Sequence, residues 1–337
     1  MNARDADALR GRILDLEAQL QTTKALLRRI EGGSGSSRDK SQSQGQGTPF
    51  SSSSSIQISV SLPLGPSTHN LMLLSDSALP LGSFAYSSGL ESFLAHHKQQ
   101  QQQQQQQSPH ERASGQTSGQ TSSQTPLSLF HKFLKLSIQS IAWTNVPYVL
   151  AAFRDPLDLM DLDNDLDAST PCTVARRASV AQGRALLSVW EKAFASAAAH
   201  RDPDDDSNFD SEAFAAIEVF AKDLKLSAIS TSTIKANGHL APLWGVVSLA
   251  LGLNLEESAY LFLLNHAKAV VSAAVRASVM GPYMAQTVLA SRDLQDLIRR
   301  SLETVWFLQP DDAGQVVPAM DLWIGRHEML YSRIFNS

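Results

Sequence analysis

Residues 70–95 read NLMLLSDSALPLGSFAYSSGLESFLA, two apolar helical patterns separated by a dense run of turn residues. Leu71, Leu74 and Ala78 share one face at helical spacing, and Leu90, Phe93 and Leu94 share another after the break. Pro80 has no N–H and clashes with the preceding turn, so a helix cannot run through it. Gly82 admits the backbone angles a reversal needs, and Ser87 or Ser88 is placed to cap the second helix. The stretch predicts two helices set at an angle around an aromatic hinge, with Leu79 and Phe84 in the core. Asp76, Ser77, Tyr86 and Glu91 are the polar groups of the bend; they either hydrogen-bond the turn or form a recognition surface.

Downstream, the same period recurs in every large element. Thr125 and Pro126 are an N-cap and first position for a helix to about Trp143, with Leu129, Phe133, Leu136, Ile138 and Ile141 buried and Pro147 breaking it. Residues 174–198 read as a long helix carrying Arg176, Arg177 and Arg184. A polar loop with Asp202, Asp204, Asp205 and Asp206 follows, then a helix capped by Ser211 with Phe214, Ile217, Phe220, Ala221 and Leu224 on one face. Pro242 opens a helix over 243–251 that is apolar nearly all round and belongs at the centre of a core. Asn254, three residues before Glu257, starts a capping-box helix that runs to about Val279. Met280, Gly281 and Pro282 stop it, with Gly281 expected in the left-handed conformation and Pro282 unable to extend the turn. Residues 283–308 are a final helical region. The acidic segment 155–167 reads as a loop, and its DLDNDLD lacks the turn glycine and closing glutamate of a calcium loop.

The fold class is therefore all-α, a single helical bundle over 68–337. Residues 1–31 predict a short amphipathic, coiled-coil-like helix with Leu9, Ile13, Leu16, Leu20, Leu27 and Ile30 along its seam, or else a marginal extension, since isolated short helices are unstable in water. Residues 32–67 are a Ser/Gly/Gln linker with too little apolar surface to offset the entropy of ordering, their run 56–64 being extended coil. Residues 98–125, with nine glutamines at 99–107, read as a disordered low-complexity insertion between helices.

A net charge of −5 with 18% charged residues gives no field for nucleic acid or anionic membrane. Cys172 is the only cysteine, so neither an intramolecular disulfide nor a thiolate metal site within one chain is available. Asp5, Asp7, Asp15 and Glu17 are out of keeping with a transit peptide, and no charge-free apolar run approaches the ~20 residues of a membrane span, so a cytoplasmic chain is expected. Phosphate-cradling, metalloprotease, nucleophile-elbow and dinucleotide motifs are missing, which predicts a non-enzyme. Adjacent His96 and His97 diverge by about 100° on a helix, a poor geometry for joint chelation; His239, His266 and His327 read as solvated or hydrogen-bonding, and no metal ligands are assigned.

Two surfaces remain as candidate partner contacts. On the helix after Asn254, Asn265, Lys268, Ser272 and Arg276 recur at three- and four-residue steps on one face, either an ordinary solvated stripe or a docking stripe. The C-terminal tail mixes Tyr331, Ile334 and Phe335 with Arg326, His327 and Arg333, and aromatic and arginine residues are the usual interface anchors. That tail either packs on its own body or meets a partner.

Three phrases carry a resemblance. SDSALPLGSFAYSSGLE at 75–91, the segment 239–290 opening HLAPLWGVVSLALGLNLEESAY, and HEMLYSRIFNS at 327–337 together resemble the urease accessory protein F family, in the family's own order. The resemblance implies an all-helical, non-enzymatic homodimer that binds accessory protein D or H. It further implies recruitment of the GTPase G and docking on urease apoprotein, to support nickel insertion, with nickel handled only transiently and no cofactor held tightly. It also implies that the tail contacts the accessory partner and that the bend helps build the assembly face, with Pro80, Gly82, Phe84, Gly281 and Pro282 as structural residues. The alternative, a coiled-coil and polyglutamine adaptor outside urease biology, would place the essential association in residues 1–31.

Overall fold

Helix is the only regular structure in the computed structural model, which describes residues 65–107, 125–196, 210–227 and 235–336. The expected all-α fold is what forms. The helix read at 1–31, nearly all of the linker at 32–67 and the polar loop with Asp202 to Asp206 lie outside the described residues. In chain order the helices are α1 (Pro66–Ser75), α2 (Leu90–Gln107), α3 (Pro126–Thr144), α4 (Val146–Arg154), α5 (Leu159–Ser169) and α6 (Thr173–Val189). They continue as α7 (Ser211–Ser227), α8 (Leu240–Ala250), α9 (Leu255–Arg276), α10 (Pro282–Ala290), α11 (Arg292–Val305) and α12 (Pro318–Arg326).

The centre is α8, in which every residue except Leu240 and Leu249 is buried. A helix with no polar face has to be surrounded, and α4, α6, α7 and α9 do so. The α4–α8 crossing is close enough that Gly245 lies under the Val149 carbonyl, where a Cβ would sit 2.4 Å from that oxygen. Gly183 of α6 is packed in the same way beneath residues 238–240, with 2.2 Å left between a built Cβ and the Gly238 carbonyl oxygen.

The N-terminal end of α8 is held by a carboxylate from far along the chain. Asp163, fully buried on α5, accepts from the N–H groups of Asn237 at 2.6 Å, Gly238 at 3.0 Å and His239 at 2.6 Å. An anion at a helix N-terminus is favoured by the unpaired N–H groups and the dipole. The segment 155–167 is thus not a loop: a short 3-10 turn at Pro156–Asp158 leads into α5, whose Leu159, Asp163 and Leu166 point inward at helical spacing. Beside this anchor, buried His239 is fixed by Ser179 Oγ at 3.0 Å and Asp167 Oδ1 at 3.1 Å.

Helix α9 begins with the expected capping box, the Asn254 side chain accepting from Glu257 N–H at 2.7 Å and the Glu257 carboxylate from Asn254 N–H at 3.1 Å. By length and composition it is apolar enough to cross a membrane, yet more than half of its most apolar stretch is buried within the bundle, as befits a core helix. Its end differs from expectation. Ser278, at φ 58°, is the left-handed residue, with Val279 N–H reaching back to the Ala274 carbonyl and Ser278 N–H to that of Val275. Gly281 has φ −80° and caps α10 instead, with Pro282 at its first position.

The bend after α1 departs in two places. Helix α1 stops at Ser75, before Pro80 can act, because the Asp76 carboxylate accepts from Ala78 N–H at 2.9 Å and closes a competing side-chain turn. Gly82, at φ 72°, then turns the chain so that Leu81 enters the core while Phe84 is left 66% exposed. Ser87 caps α2, accepting from Glu91 N–H at 3.5 Å. Helix α2 runs on through all nine glutamines to Gln107, so the insertion expected from Lys98 starts as helix. Glutamine is among the better helix formers, and extending an existing helix avoids the cost of nucleation.

Candidate functional site

The bend, the polar stripe of α9 and the C-terminal tail come together on one side of the bundle. Within the stripe, Asn265 Nδ2 donates to the Leu74 carbonyl at 3.0 Å, and Lys268 Nζ to the Ser75 carbonyl at 2.6 Å. Both acceptors belong to the last turn of α1, whose carbonyls have no intrahelical partner and whose dipole attracts a cation. Desolvation lowers the Lys268 pKa, with Asp76 opposing it. Asn265 and Lys268 thus seat α1 on α9, and both also line the cavity described below. Ser272 and Arg276, one and two turns further on, are exposed.

The tail folds back on its own body. Glu91, the last residue of the signature phrase, accepts from Ile334 N–H at 2.8 Å and Phe335 N–H at 3.3 Å, across more than 240 positions of sequence. Asn336 N–H donates to the Ala85 carbonyl at 2.8 Å. His327 is fully buried, its Nε2 at 2.9 Å from the Phe335 carbonyl and its Nδ1 facing Glu91 Oε2 at 3.7 Å without a hydrogen bond. Phe335 is buried too, and the Arg276 guanidinium lies 4.4 Å over its ring, a favourable cation–π contact. His327, Phe335 and Glu91, read from sequence as partner contacts, are thus internal contacts of this fold. What faces outward is Phe84, Met329, Tyr331 and Ile334, all more than half exposed, together with exposed Arg326 and Arg333.

Beneath this surface lies a cavity of about 280 Å³, walled by the bend, α3, α5, α6, α9 and the segment entering α12. Asp76, Ser77 and Tyr86 line it beside Ser137 and His266. His266 Nε2 is paired with Ser137 Oγ at 2.8 Å, and desolvation pushes its pKa down to about 4. The unfolded chain, whose imidazole titrates near 6.5, holds the extra proton between those values. Stability from this group is full above pH 6.5 and is lost as the pH falls toward 4. The expected loss is on the order of 2 kcal/mol, allowing for partial solvent access through the cavity. Melting curves at pH 7 and pH 4.5 check this: His266→Gln is expected to narrow the gap between them, and an unchanged gap would refute the assignment.

Among the described residues no group of three or more His, Cys, Asp or Glu side chains converges as a metal site. His96 instead pairs with Gln100 at 3.1 Å along α2, and His97 packs edge-on to Phe93. Sequence reading missed the cavity, Leu81 and the union of Glu91 with the tail. The signal for the last was present only as two separate motifs, each polar where a packed helix or terminus would be apolar.

Fold and surface define an all-helical protein whose signature bend is assembled with its own C-terminus into one exposed aromatic and arginine-bearing face. The UreF family model matches residues 128–292. A Schizosaccharomyces pombe protein described as a UreF-like urease accessory protein is 34% identical over 270 residues, covering 80% of this chain and 97% of the relative. Urease accessory protein 6 of Cryptococcus neoformans is 27% identical, with 82% and 98% covered, and urease accessory protein F of Arabidopsis thaliana 26% identical, with 78% and 90% covered. The chain belongs to the UreF family of urease accessory proteins.

Proposed function

We propose that this chain is a non-catalytic, cytoplasmic scaffold of urease maturation. It acts as a homodimer with accessory protein D or H and the GTPase G to support nickel insertion into urease apoprotein, with the metal as transient cargo of the assembly. The observation that carries the reading is the coincidence of family membership with a face in which Phe84, Tyr331 and Ile334 stand exposed beside Arg326 and Arg333. Aromatic and arginine side chains of this kind are the usual anchors of protein interfaces. In cells lacking this gene the urease polypeptide is expected at normal level but inactive, with excess nickel rescuing poorly. Complementation by a Phe84→Asp, Tyr331→Asp double variant should restore no more than a tenth of wild-type urease activity while the variant accumulates normally. Normal urease activity in the deletion strain would overturn the reading.

A further inference from the structure

Residues 334–336 lie on the body as a bent segment without regular structure, and their main-chain groups pair with Glu91, His327 and Ala85. The Glu91 side chain, 13% exposed, takes two consecutive backbone N–H groups, one on each oxygen. A carboxylate used this way recognises main chain and leaves side-chain choice to the neighbouring pocket. That pocket holds Phe335 at 5% exposure beneath Arg276, while His327 Nε2 and the Ala85 carbonyl complete the main-chain pairing on either side of it. Tyr331, Ser332 and Arg333, which connect the segment to α12, are exposed and make no hydrogen bond among the described residues. The seat is built from the body of the fold, and the stretch that leads into it is held by no hydrogen bond of its own.

We propose that Glu91, Ala85, Arg276 and His327 form a peptide-binding socket for a short chain segment bearing a bulky apolar side chain. The chain's own tail is its resident, and the hinge at 331–333 lets the tail of a second copy take the same place. Such exchange of an identical element between copies needs no new contact, only release of the old one. The socket stands independently of any part the protein plays in urease maturation.

The test uses the full-length chain and a fluorescein-labelled peptide of residues 330–337, LYSRIFNS, with binding read by anisotropy. Phe335→Ala empties the pocket without altering the socket, and is expected to bind the peptide at least tenfold more tightly than wild type, whose own tail competes. Adding Glu91→Ala is expected to weaken that binding tenfold or more. Adding Arg276→Ala instead, at an exposed position that leaves the core untouched, is expected to weaken it several-fold, so the proposal remains testable if the Glu91 variant folds poorly. Equal binding by wild type and Phe335→Ala, no saturable binding by Phe335→Ala, or binding indifferent to both Glu91 and Arg276 would each overturn it.

Discussion

Gly245→Ala is expected to cost about 3 kcal/mol or more, at the upper end of overpacking penalties, and to lower the melting temperature by roughly 6–12 °C, the shift usual for a folded body of about 150–250 residues. One methyl group is added, but the site has no room for it. The new Cβ would lie 2.4 Å from the Val149 carbonyl oxygen, 3.0 Å from Phe153 N and 3.2 Å from Ala152 Cβ. None of the three is the flexible end of a side chain, so relief requires α4 and α8 to separate along the most extensive helix contact among the described residues. Gly281→Ala is the control: its Cβ meets nothing within 4 Å and its φ of −80° suits any residue. Thermal melts of the two variants decide the matter. A Gly245→Ala protein that melts with wild type would mean that α4 and α8 are not crossed as described.

Asp163→Asn is the second substitution expected to be severe, at about 3 kcal/mol, although it alters neither shape nor volume. The wild-type carboxylate offers two acceptor oxygens to three converging N–H donors at the head of α8. An amide offers one oxygen and turns an NH₂ toward the remaining donors, leaving buried groups unpaired where the low dielectric makes that costly. Amide hydrogen exchange gives a local readout beyond the melt. The N–H groups of residues 237–239 should lose protection by tenfold or more in the variant at temperatures where α9 keeps its own. Unchanged protection at those three amides would remove Asp163 from the role of anchor.

The same aspartate explains where sequence reading stopped. Apolar periodicity was enough to find α3, α7 and α8, and the Asn254–Glu257 pair marked the start of α9 to the residue, because those signals are local. In α5 the inward face is Leu159, Asp163, Leu166; a charged residue in a core position makes a helix look like an acidic loop. Its partners are more than seventy residues away, and spacing cannot reveal them. The α9 stripe shows the converse. Periodicity placed Asn265 and Lys268 on one face correctly, but that face is polar because it meets the carbonyl end of α1. Phe84, read as a core residue, stands exposed, and Leu81, for which no reading was made, fills the core, because the turn at Gly82, set by a single positive φ, decides which side of the chain looks inward. As for the candidate site, its members were legible individually, while the pairing of Glu91 with the tail required the fold.

Helix α2 carries one more consequence, for the length of the glutamine run. Because the glutamine run continues a helix whose anchoring residues, Leu90 and Phe93, are already buried, gaining or losing a repeat unit does not disturb what lies upstream. Each glutamine of the run adds about 1.5 Å of rise and about 100° of turn to the rod. A longer or shorter run would therefore change the length of the rod in discrete steps, like the thread of a screw, while the body that carries it stays the same.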